Sequence, residues 1–320
     1  MHGFVAESGG RLPGLGIHLC CYASHHAQTT SVRIYTSQTS SQVGATLSQA
    51  TLREPSAQEC AAPTTDLIVQ VDGGHIPVKQ KGKRSFEALS AIAYQPDNIK
   101  QVDQNHRQIT NKTCVVSTLN DELDTIKSFV LNAAHKQGMT EQTRVTGLAD
   151  GANNCWSVVL SLKSHCLDLE CILDWFHIGQ KFQNVKNALG ESFEESLDSV
   201  KWAVWHGEVQ AALTKLKLLQ DNITDNAKQS KIQGLLGYLK NNLNYLINYE
   251  QRKNSGKVYT SQTVESQIDL LINARHKRKQ KMQWTREGAH NVLQIRAKME
   301  SHEWNRQWQD AVLEALIGAA

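Results

Sequence analysis

Two short apolar runs, separated by a helix-compatible segment, constrain the fold of this 320-residue chain more than any other feature. Residues 145–149 (VTGLA) are followed by Asp150, and residues 169–173 (LECIL) are followed by Asp174. This pattern predicts a β-α-β unit, whose two strands lie parallel in one sheet. Because ligands and chemistry collect at the carboxyl ends of parallel strands, two acidic residues at that edge indicate a candidate metal site.

Further strands are predicted ahead of this unit. An apolar run ends on Asp72, and Gly73-Gly74 then precede a second strand-like run. Both glycines tolerate positive φ, so we predict a tight hairpin or a bulge there, with Asp72 at the end of its strand. The next predicted elements are strands at 85–94 and 113–118 and a helix from Asn120 or Asp121 to about Gln137.

This order of elements predicts a mixed sheet. Consecutive strands pair as a meander, and β-α-β units add parallel strands at its edge, with helices on the faces. We therefore expect an α/β fold in which Asp72 and Asp150 face each other on neighbouring strands.

The segments outside this sheet have a different character. Residues 179–256 carry apolar residues at helical spacing with almost no proline, which predicts a separate all-α domain of three or four helices. It interrupts an α/β domain made of residues 66–178 and 257–320, whose second part is predicted to hold helices from near Ser261, over 286–299 and over 302–317. Residues 1–65 show no sustained period and are predicted to be weakly structured, with one strand at 31–35.

The composition is that of an ordinary globular protein, and the net charge of +3 is too small to indicate a partner. The seven cysteines form no Cys-x-x-Cys pair, and the chain has neither a secretory signal pattern nor an apolar run of membrane-spanning length. We therefore predict a soluble, reduced, cytoplasmic protein.

Asp72, Asp150 and Glu265 form the candidate catalytic and metal-binding set. Carboxylate oxygens suit Mg²⁺ or Mn²⁺, and two such ions roughly 3.5 to 4 Å apart stabilise the attacking and leaving oxygens of a phosphoryl displacement. Each acid alone is more often a turn former or a helix cap, so the prediction depends on the combination.

Five phrases in order carry a family resemblance. They are VDGG (71–74), GLADGA (147–152), ILDWFHIG (172–179), TVESQI (263–268) and KMQWTREGAHNVLQIRA (281–297). Together they resemble bacterial insertion-sequence transposases of the ISKra family, which are similar in layout to the Mutator-like group with ribonuclease-H-like catalytic domains. The resemblance covers about residues 66–310.

The resemblance implies a ribonuclease-H-like core interrupted by an all-helical insertion. It makes Asp72, Asp150 and Glu265 the three catalytic acids, with Asp174 and His177 as an accessory pair. The implied activity is DNA transposition with two Mg²⁺ or Mn²⁺ ions: water nicks a strand, and the freed 3′-hydroxyl attacks target DNA. The implied partners are transposon ends, target DNA and further copies of the chain, at the nucleoid.

One departure from the family leaves other readings open. Such transposases carry a DNA-end-binding domain ahead of the first acid, and residues 1–65 do not resemble one, so we expect that domain to be missing. A truncated or inactive copy, a stand-alone metal-dependent nuclease and a non-catalytic DNA-binding remnant are the alternatives.

The densest basic region follows Glu265. A charge run usually forms a solvated helix face, but beside a site acting on phosphodiesters it indicates contact with the DNA backbone. The predicted DNA-binding residues are Arg275, Lys277, Arg278, Lys279, Lys281 and Arg286.

Two further sets of residues have alternative interpretations. Trp202 and Trp205 lie three apart on one helix face, where core packing is the simpler role and stacking on an unpaired base the alternative. Asp174 and His177 could join His165, Cys166 and Cys171 in a zinc site, although their spacing matches no standard zinc pattern.

Overall fold

The structure is a computed structural model that describes residues 37–79, 82–101, 107–262, 271–273, 276 and 282–303. In these ranges no helix is both long and apolar enough to cross a membrane. The strands are β1 Asp66–Pro77, β2 Ser85–Tyr94, β3 Ile99–Gln101, β4 Arg107–Ile109, β5 Thr113–Ser117, β6 Arg144–Ala149 and β7 Asp168–Leu173. The helices are α1 Ser37–Leu52, α2 Asp124–Lys136, α3 Asn153–Leu160, α4 Trp175–Leu189, α5 Glu194–Trp205, α6 Val209–Asp221, α7 Asn226–Asn241, α8 Tyr249–Asn254 and α9 Arg286–Glu300.

Five strands form one mixed sheet in the order β5-β2-β1-β6-β7. β1, β2 and β5 pair antiparallel as a meander, whereas β6 pairs parallel with β1, and β7 pairs parallel with β6. β3 and β4 form a separate two-stranded hairpin. The predicted α/β class, the mixed sheet and the adjacency of the strands that carry Asp72 and Asp150 are confirmed.

The predicted turn at Gly73-Gly74 is wrong, and so is the prediction that Asp72 ends its strand. β1 runs without interruption through both glycines to Pro77, and neither has positive φ. Both serve close packing: a Cβ on Gly74 would lie 3.0 Å from Ile272 Cδ1, and one on Gly73 would lie 2.7 Å from Glu87 Oε1. Glycine in a strand marks such close approach as often as a bend.

The two faces of the sheet bury separate sets of apolar side chains. Alternate residues of β1, including Leu67, Val69 and Val71, pack with α2 and α3 on one face. The residues between them face the other side, where Ile68 joins one cluster and Ile76 joins another with Leu271, Ile272 and α9. This alternation is the period of two expected of a strand buried on both faces.

The amino-terminal region differs from its prediction. Residues 37–52 form a helix rather than weak structure, and α1 packs closely against α9, where a Cβ on Gly44 would lie 2.3 Å from the Asn291 carbonyl oxygen. Asn132 of α2 donates hydrogen bonds to the carbonyl oxygens of residues 51, 52 and 53, which satisfies the end of the helix. The polar composition of this segment did not predict a helix. The helix is stabilised by tertiary contacts that bury its short apolar face. The strand predicted at 31–35 lies outside the described residues.

The helical segment, residues 175–254, contains α4 to α8 and begins four residues before its predicted boundary. Its apolar core is continuous with that of the α2 and α3 face of the sheet. The division of the chain into a separate all-α domain and an α/β domain stays a prediction. Polar contacts attach the helical segment to the sheet and to α3. Among them, Tyr249 Oη donates to the Leu173 carbonyl at 2.7 Å, Trp156 Nε1 donates to Asn242, and buried Arg252 donates to both carboxylate oxygens of Glu170.

Beyond the helical segment, α9 confirms the helix predicted over 286–299. Gln294 of α9 donates a hydrogen bond of 2.7 Å to the Val116 carbonyl, and Ser301 Oγ accepts one of 2.8 Å from the Cys114 N–H. Both contacts anchor α9 to β5. The last predicted helix lies outside the described residues beyond residue 303.

Candidate active site

Three aspartates occupy equivalent positions along three adjacent parallel strands. Val71 of β1 pairs with Ala149 of β6, and Ala149 pairs with Leu173 of β7. Asp150 and Asp174 directly follow β6 and β7, and Asp72 follows Val71 within β1, where the pairing of β1 with β6 ends. Since neighbouring strands lie roughly 4.8 Å apart, this register sets the three residues side by side. We call them the aspartate row.

Asp72 points to the face of the sheet away from α2 and α3. Val71 packs into the core that contains α2 and α3, so Asp72, the next residue of β1, points to the opposite face. Gly74, two residues after Asp72, lies against Ile272 on that same face. The described residues around 271–273 therefore pack close to the aspartate row.

Asp72 is mostly buried, with 21 % of its side chain exposed. Its Oδ1 accepts a hydrogen bond of 2.7 Å from the Gly73 N–H. Burial raises the pKa of Asp72 above its ordinary range, and the charges of Asp150 and Asp174 raise it further, while His177 and the Gly73 N–H oppose this change. A carboxylate in this environment has a physical reason to recruit a cation.

Asp150 is positioned by the turn that leads into α3. Its Oδ1 accepts a hydrogen bond of 2.9 Å from the Ala152 N–H, and Gly151 takes a φ of +99°, which favours glycine. Tyr238 of α7 donates from its hydroxyl to the Asp150 carbonyl at 2.9 Å. The helical segment thus contributes a side chain directly at the aspartate row, and no sequence pattern singled out Tyr238.

Asp174 has a different role from the other two. It is buried, and its carboxylate accepts hydrogen bonds from the Phe176 N–H, the Ser261 N–H and the Ser261 hydroxyl, at 3.2, 2.8 and 2.5 Å. Its Oδ2 also lies 2.8 Å from Nδ1 of His177. Because both oxygens are already used, Asp174 caps α4 and orients His177.

His177 connects two members of the aspartate row. Its Nδ1 bonds Asp174, and its Nε2 lies 3.8 Å from Asp72 Oδ1. Burial alone would lower the pKa of His177, but the hydrogen bond to Asp174 and the charges of Asp174, Asp72 and Asp150 raise it to about 9. The ring therefore carries a positive charge at neutral pH, beside Asp72.

A further carboxylate lies on the α3 side of the same sheet edge. Glu87 of β2 accepts a hydrogen bond of 2.7 Å from Asn154 Nδ2, in the first turn of α3. Its other oxygen occupies the space that a side chain at Gly73 would take. A charged residue among the apolar residues of SFEALSAIAY was the available sequence signal for Glu87, and our sequence analysis missed it.

Not all predicted site residues can be placed. Glu265 and the predicted DNA-binding residues 275, 277, 278, 279 and 281 lie outside the described residues. Arg286 is described, and its guanidinium is engaged: Nη1 donates to the Thr118 carbonyl, and the group lies 4.8 Å from the centre of the Phe86 ring. Its predicted contact with DNA stays a prediction.

The two tryptophans have different environments. Trp205 is 8 % exposed and packs against Trp175 and Tyr249, with ring centres 4.8 and 6.2 Å away. Trp202 is 56 % exposed and meets Trp205 edge to face. Trp205 therefore has a core-packing role, whereas most of the Trp202 ring is accessible to solvent.

The zinc alternative fails on geometry. His165 and Cys166 precede β7, whereas Asp174 and His177 follow it, and a six-residue strand separates the two pairs by roughly 20 Å. Cys171 packs on the opposite face of the sheet from the aspartate row. These five side chains cannot surround one ion.

The fit of a divalent ion depends on Asp72 and Asp150. Within the described ranges, no group of three or more His, Cys, Asp and Glu side chains is arranged to hold a metal ion. Asp72 and Asp150 each accept a backbone hydrogen bond on Oδ1, which leaves most of the acceptor capacity of each carboxylate available. This pair of hard oxygen donors suits Mg²⁺ or Mn²⁺ once a third carboxylate joins it.

Comparison with known proteins adds no family. The sequence matches no protein-family model, and no curated protein matches it significantly. The fold and the site define an α/β protein with a five-stranded mixed sheet and a row of aspartates, one on or directly after each of its three adjacent parallel strands.

Proposed function

We propose that the protein is a metal-dependent DNA transposase of the Asp-Asp-Glu type. In this proposal Asp72, Asp150 and Glu265 hold two Mg²⁺ or Mn²⁺ ions, and several copies of the chain act together on DNA. The observation that carries the proposal is the strand register, in which Asp72 and Asp150 follow the paired residues Val71 and Ala149. In the proposal, these two carboxylates on adjacent strands form the core of the metal site.

The sheet supports a ribonuclease-H-like core. Its first three main strands form an antiparallel meander, and two parallel strands extend it beside β1, as the family resemblance leads us to expect. The helical segment also falls where the resemblance expects an insertion, between Asp174 and Ser261. Ser261 then hydrogen-bonds Asp174, so the chain after this segment returns to the aspartate row.

Contacts on both sides of Glu265 support its inclusion. Ser261, four residues before it, bonds the aspartate row directly, and Ile272, seven residues after it, packs against Gly74. Since Gly74 is two residues from Asp72 on the same face of β1, the chain on either side of Glu265 contacts this part of the sheet.

The residues of the chain have separate tasks in the proposed reaction. Bound ions would activate the attacking water or 3′-hydroxyl and stabilise the charge that develops on the phosphate. Asp72 and Asp150 would hold the ions, and Asp174 would keep the His177 ring in place. The charged His177 ring near Asp72 would favour an anionic phosphate oxygen close to the site.

Asp150→Asn tests this proposal, with Asp168→Asn as a matched control. Asp168 is an exposed aspartate at the start of β7, at the opposite end of the parallel strands from the aspartate row. With plasmid DNA and Mn²⁺, we expect Asp150→Asn to lose nicking while retaining DNA binding and the folded state. Asp168→Asn should nick at the wild-type rate. Nicking by Asp150→Asn at the wild-type rate would refute the proposal.

A second assay separates transposase from nuclease. End sequences taken from the DNA that flanks the coding sequence should be joined to target DNA by the wild-type protein. Nicking without joining would identify a stand-alone nuclease, and salt-dependent binding without nicking would identify a non-catalytic DNA-binding remnant.

A further inference from the structure

The hairpin of β1 and β2 projects beyond the rest of the sheet. β6 pairs with β1 only as far as Val71, and β5 pairs with β2 only as far as Leu89, opposite Gly73. From Gly74 paired with Ala88 to Pro77 paired with Ser85, β1 and β2 are paired only with each other in the five-stranded sheet. We call residues 74–79 and 83–88 the β1–β2 arm.

The arm is firmly supported along its length. Ile76, Phe86 and Ala88 are buried in a cluster with residues of α9 and with Leu271 and Ile272. At the end of the arm, the Lys79 N–H donates to the Trp284 carbonyl at 2.9 Å, and the Trp284 N–H donates to the Pro77 carbonyl at 3.0 Å. The end of the arm is therefore held in place by backbone hydrogen bonds on a packed core.

The end of the arm carries a concentration of positive charge. Lys79, Lys83 and Arg84 are exposed, and within the described part of the chain none of them forms an ion pair. Lys79 and Lys83 line a groove of about 600 Å³, together with Phe86 and the half-buried Arg286. Among the described residues, no aspartate or glutamate lines this groove. The surface suits an anionic partner.

The charged end of the arm lies at a defined distance from the aspartate row. Pro77 lies five residues after Asp72 along β1, which corresponds to roughly 17 Å at 3.3 Å per residue. Because the phosphates of one DNA strand are spaced about 3.4 Å along the helix axis, this distance spans about five base pairs.

We propose that the β1–β2 arm grips the phosphate backbone of duplex DNA about five base pairs from the phosphate held at the aspartate row, with Lys79, Lys83 and Arg84 as the contacts. This inference rests on the proposed function for the position of the DNA. The basic side chains would contribute backbone contacts without reading the base sequence, since phosphates carry no sequence information.

The arm favours nucleic acid over a membrane surface. Proteins that bind at the bilayer interface combine basic residues with large apolar side chains that enter the acyl region. None of the exposed large apolar residues of the described chain lies on the arm. The phosphate backbone of a nucleic acid therefore matches the arm better than a lipid surface does.

The test compares two triple variants of the full chain. The arm variant is Lys79→Gln/Lys83→Gln/Arg84→Gln, and the control variant is Lys217→Gln/Lys231→Gln/Lys240→Gln, which removes three exposed charges from α6 and α7. Binding to a 30-base-pair duplex is measured by fluorescence anisotropy at several salt concentrations. Thermal unfolding checks that both variants fold.

We expect the slope of log Kobs against log salt to become shallower by as much as about 2.7 for the arm variant, or about 0.9 for each lost phosphate contact. The control variant should keep the wild-type slope. An unchanged slope in the folded arm variant would overturn the inference, as would an equal change in the control variant. Arm-dependent binding to phosphatidylserine vesicles, without arm-dependent binding to the duplex, would also overturn it.

This measurement of DNA binding does not require that the protein cleaves DNA. If the wild-type protein nicks DNA but the arm variant binds with the wild-type slope, the role of the arm is refuted and the proposed function stands. If the slope of log Kobs against log salt is shallower for the arm variant but the wild-type protein does not nick DNA, the arm contacts DNA and the catalytic proposal fails.

Discussion

Asp174 accepts two hydrogen bonds from Ser261, a residue 87 positions later in the chain. The pair closes the helical segment, because Asp174 immediately precedes α4 and Ser261 follows α8 by seven residues. The same carboxylate caps α4 through the Phe176 N–H and bonds His177. One buried aspartate thus connects the sheet, the helical segment and the histidine beside Asp72.

We predict that Asp174→Ala lowers the free energy of unfolding by roughly 3 to 5 kcal/mol, because it removes a helix cap and leaves buried donors without an acceptor. Urea unfolding followed by circular dichroism measures this change. Asp168→Ala, at the exposed start of the same strand, is the control and should change stability by less than about 0.5 kcal/mol. Equal stability of the two variants would show that Asp174 does not connect these elements.

A second prediction concerns the buried His290 of α9. Thr118 N–H donates to its Nδ1, and its Nε2 lies 2.9 Å from Ser48 Oγ of α1, so the ring is neutral and links three elements. Burial lowers the pKa of His290 to about 4. A depressed histidine pKa leaves stability intact above the unfolded value of about 6.5 and reduces it as the pH falls towards 4.

The loss that His290 causes should approach roughly 3 kcal/mol near pH 4, because each unit of pKa shift corresponds to about 1.36 kcal/mol. Urea unfolding of the wild-type protein and of His290→Asn at pH 7.5, 6 and 5 isolates this contribution from that of other titrating groups. The difference in stability between the two proteins should shrink as the pH falls. A difference that does not change with pH would contradict the assignment.

A third prediction separates the two tryptophans. Trp205→Ala should lower the free energy of unfolding by roughly 3 to 5 kcal/mol, because it empties a packed aromatic site. Trp202→Ala should change stability by less than about 1 kcal/mol, because more than half of the ring is exposed. If Trp202 stacks on an unpaired base, its replacement should weaken binding to gapped duplex DNA by about tenfold, within the range for one stacked base. Unchanged affinity for gapped DNA would exclude that role.

A fourth prediction tests the contact between α1 and α9. Gly44→Ala would place a Cβ 2.3 Å from the Asn291 carbonyl oxygen, so the two helices would have to separate. We expect a loss of about 1 to 3 kcal/mol in urea unfolding. Gly237→Ala in α7 is the matched control, because the space there is open and alanine favours a helix by about 1 kcal/mol. A stable Gly44→Ala variant would mean that α1 does not pack closely on α9.

Much of the fold was predictable from local patterns. The strands that end at Asp150 and Asp174, the meander ahead of them and the helices from 179 onward are each specified by apolar periodicity, which depends only on nearby residues. The adjacency of Asp72 and Asp150 also followed, because the strand that ends before Asp150 was predicted to lie parallel to the strand that carries Asp72. The turn expected at Gly73-Gly74 failed because glycine has the same local signature whether it bends a chain or admits a neighbouring side chain.

The sequence by itself determined most of the strands and helices and the acidic residues that directly follow β6 and β7, since these properties depend on spacing along the chain. Only the tertiary structure decided how those residues divide their roles. Ser261 donates a hydrogen bond to the Asp174 carboxylate, and His177 lies between Asp174 and Asp72. Tyr238, on a distant helix, donates a hydrogen bond to the Asp150 carbonyl. These contacts join residues far apart in the chain, and no local pattern encodes which distant partner a side chain meets when the layers pack.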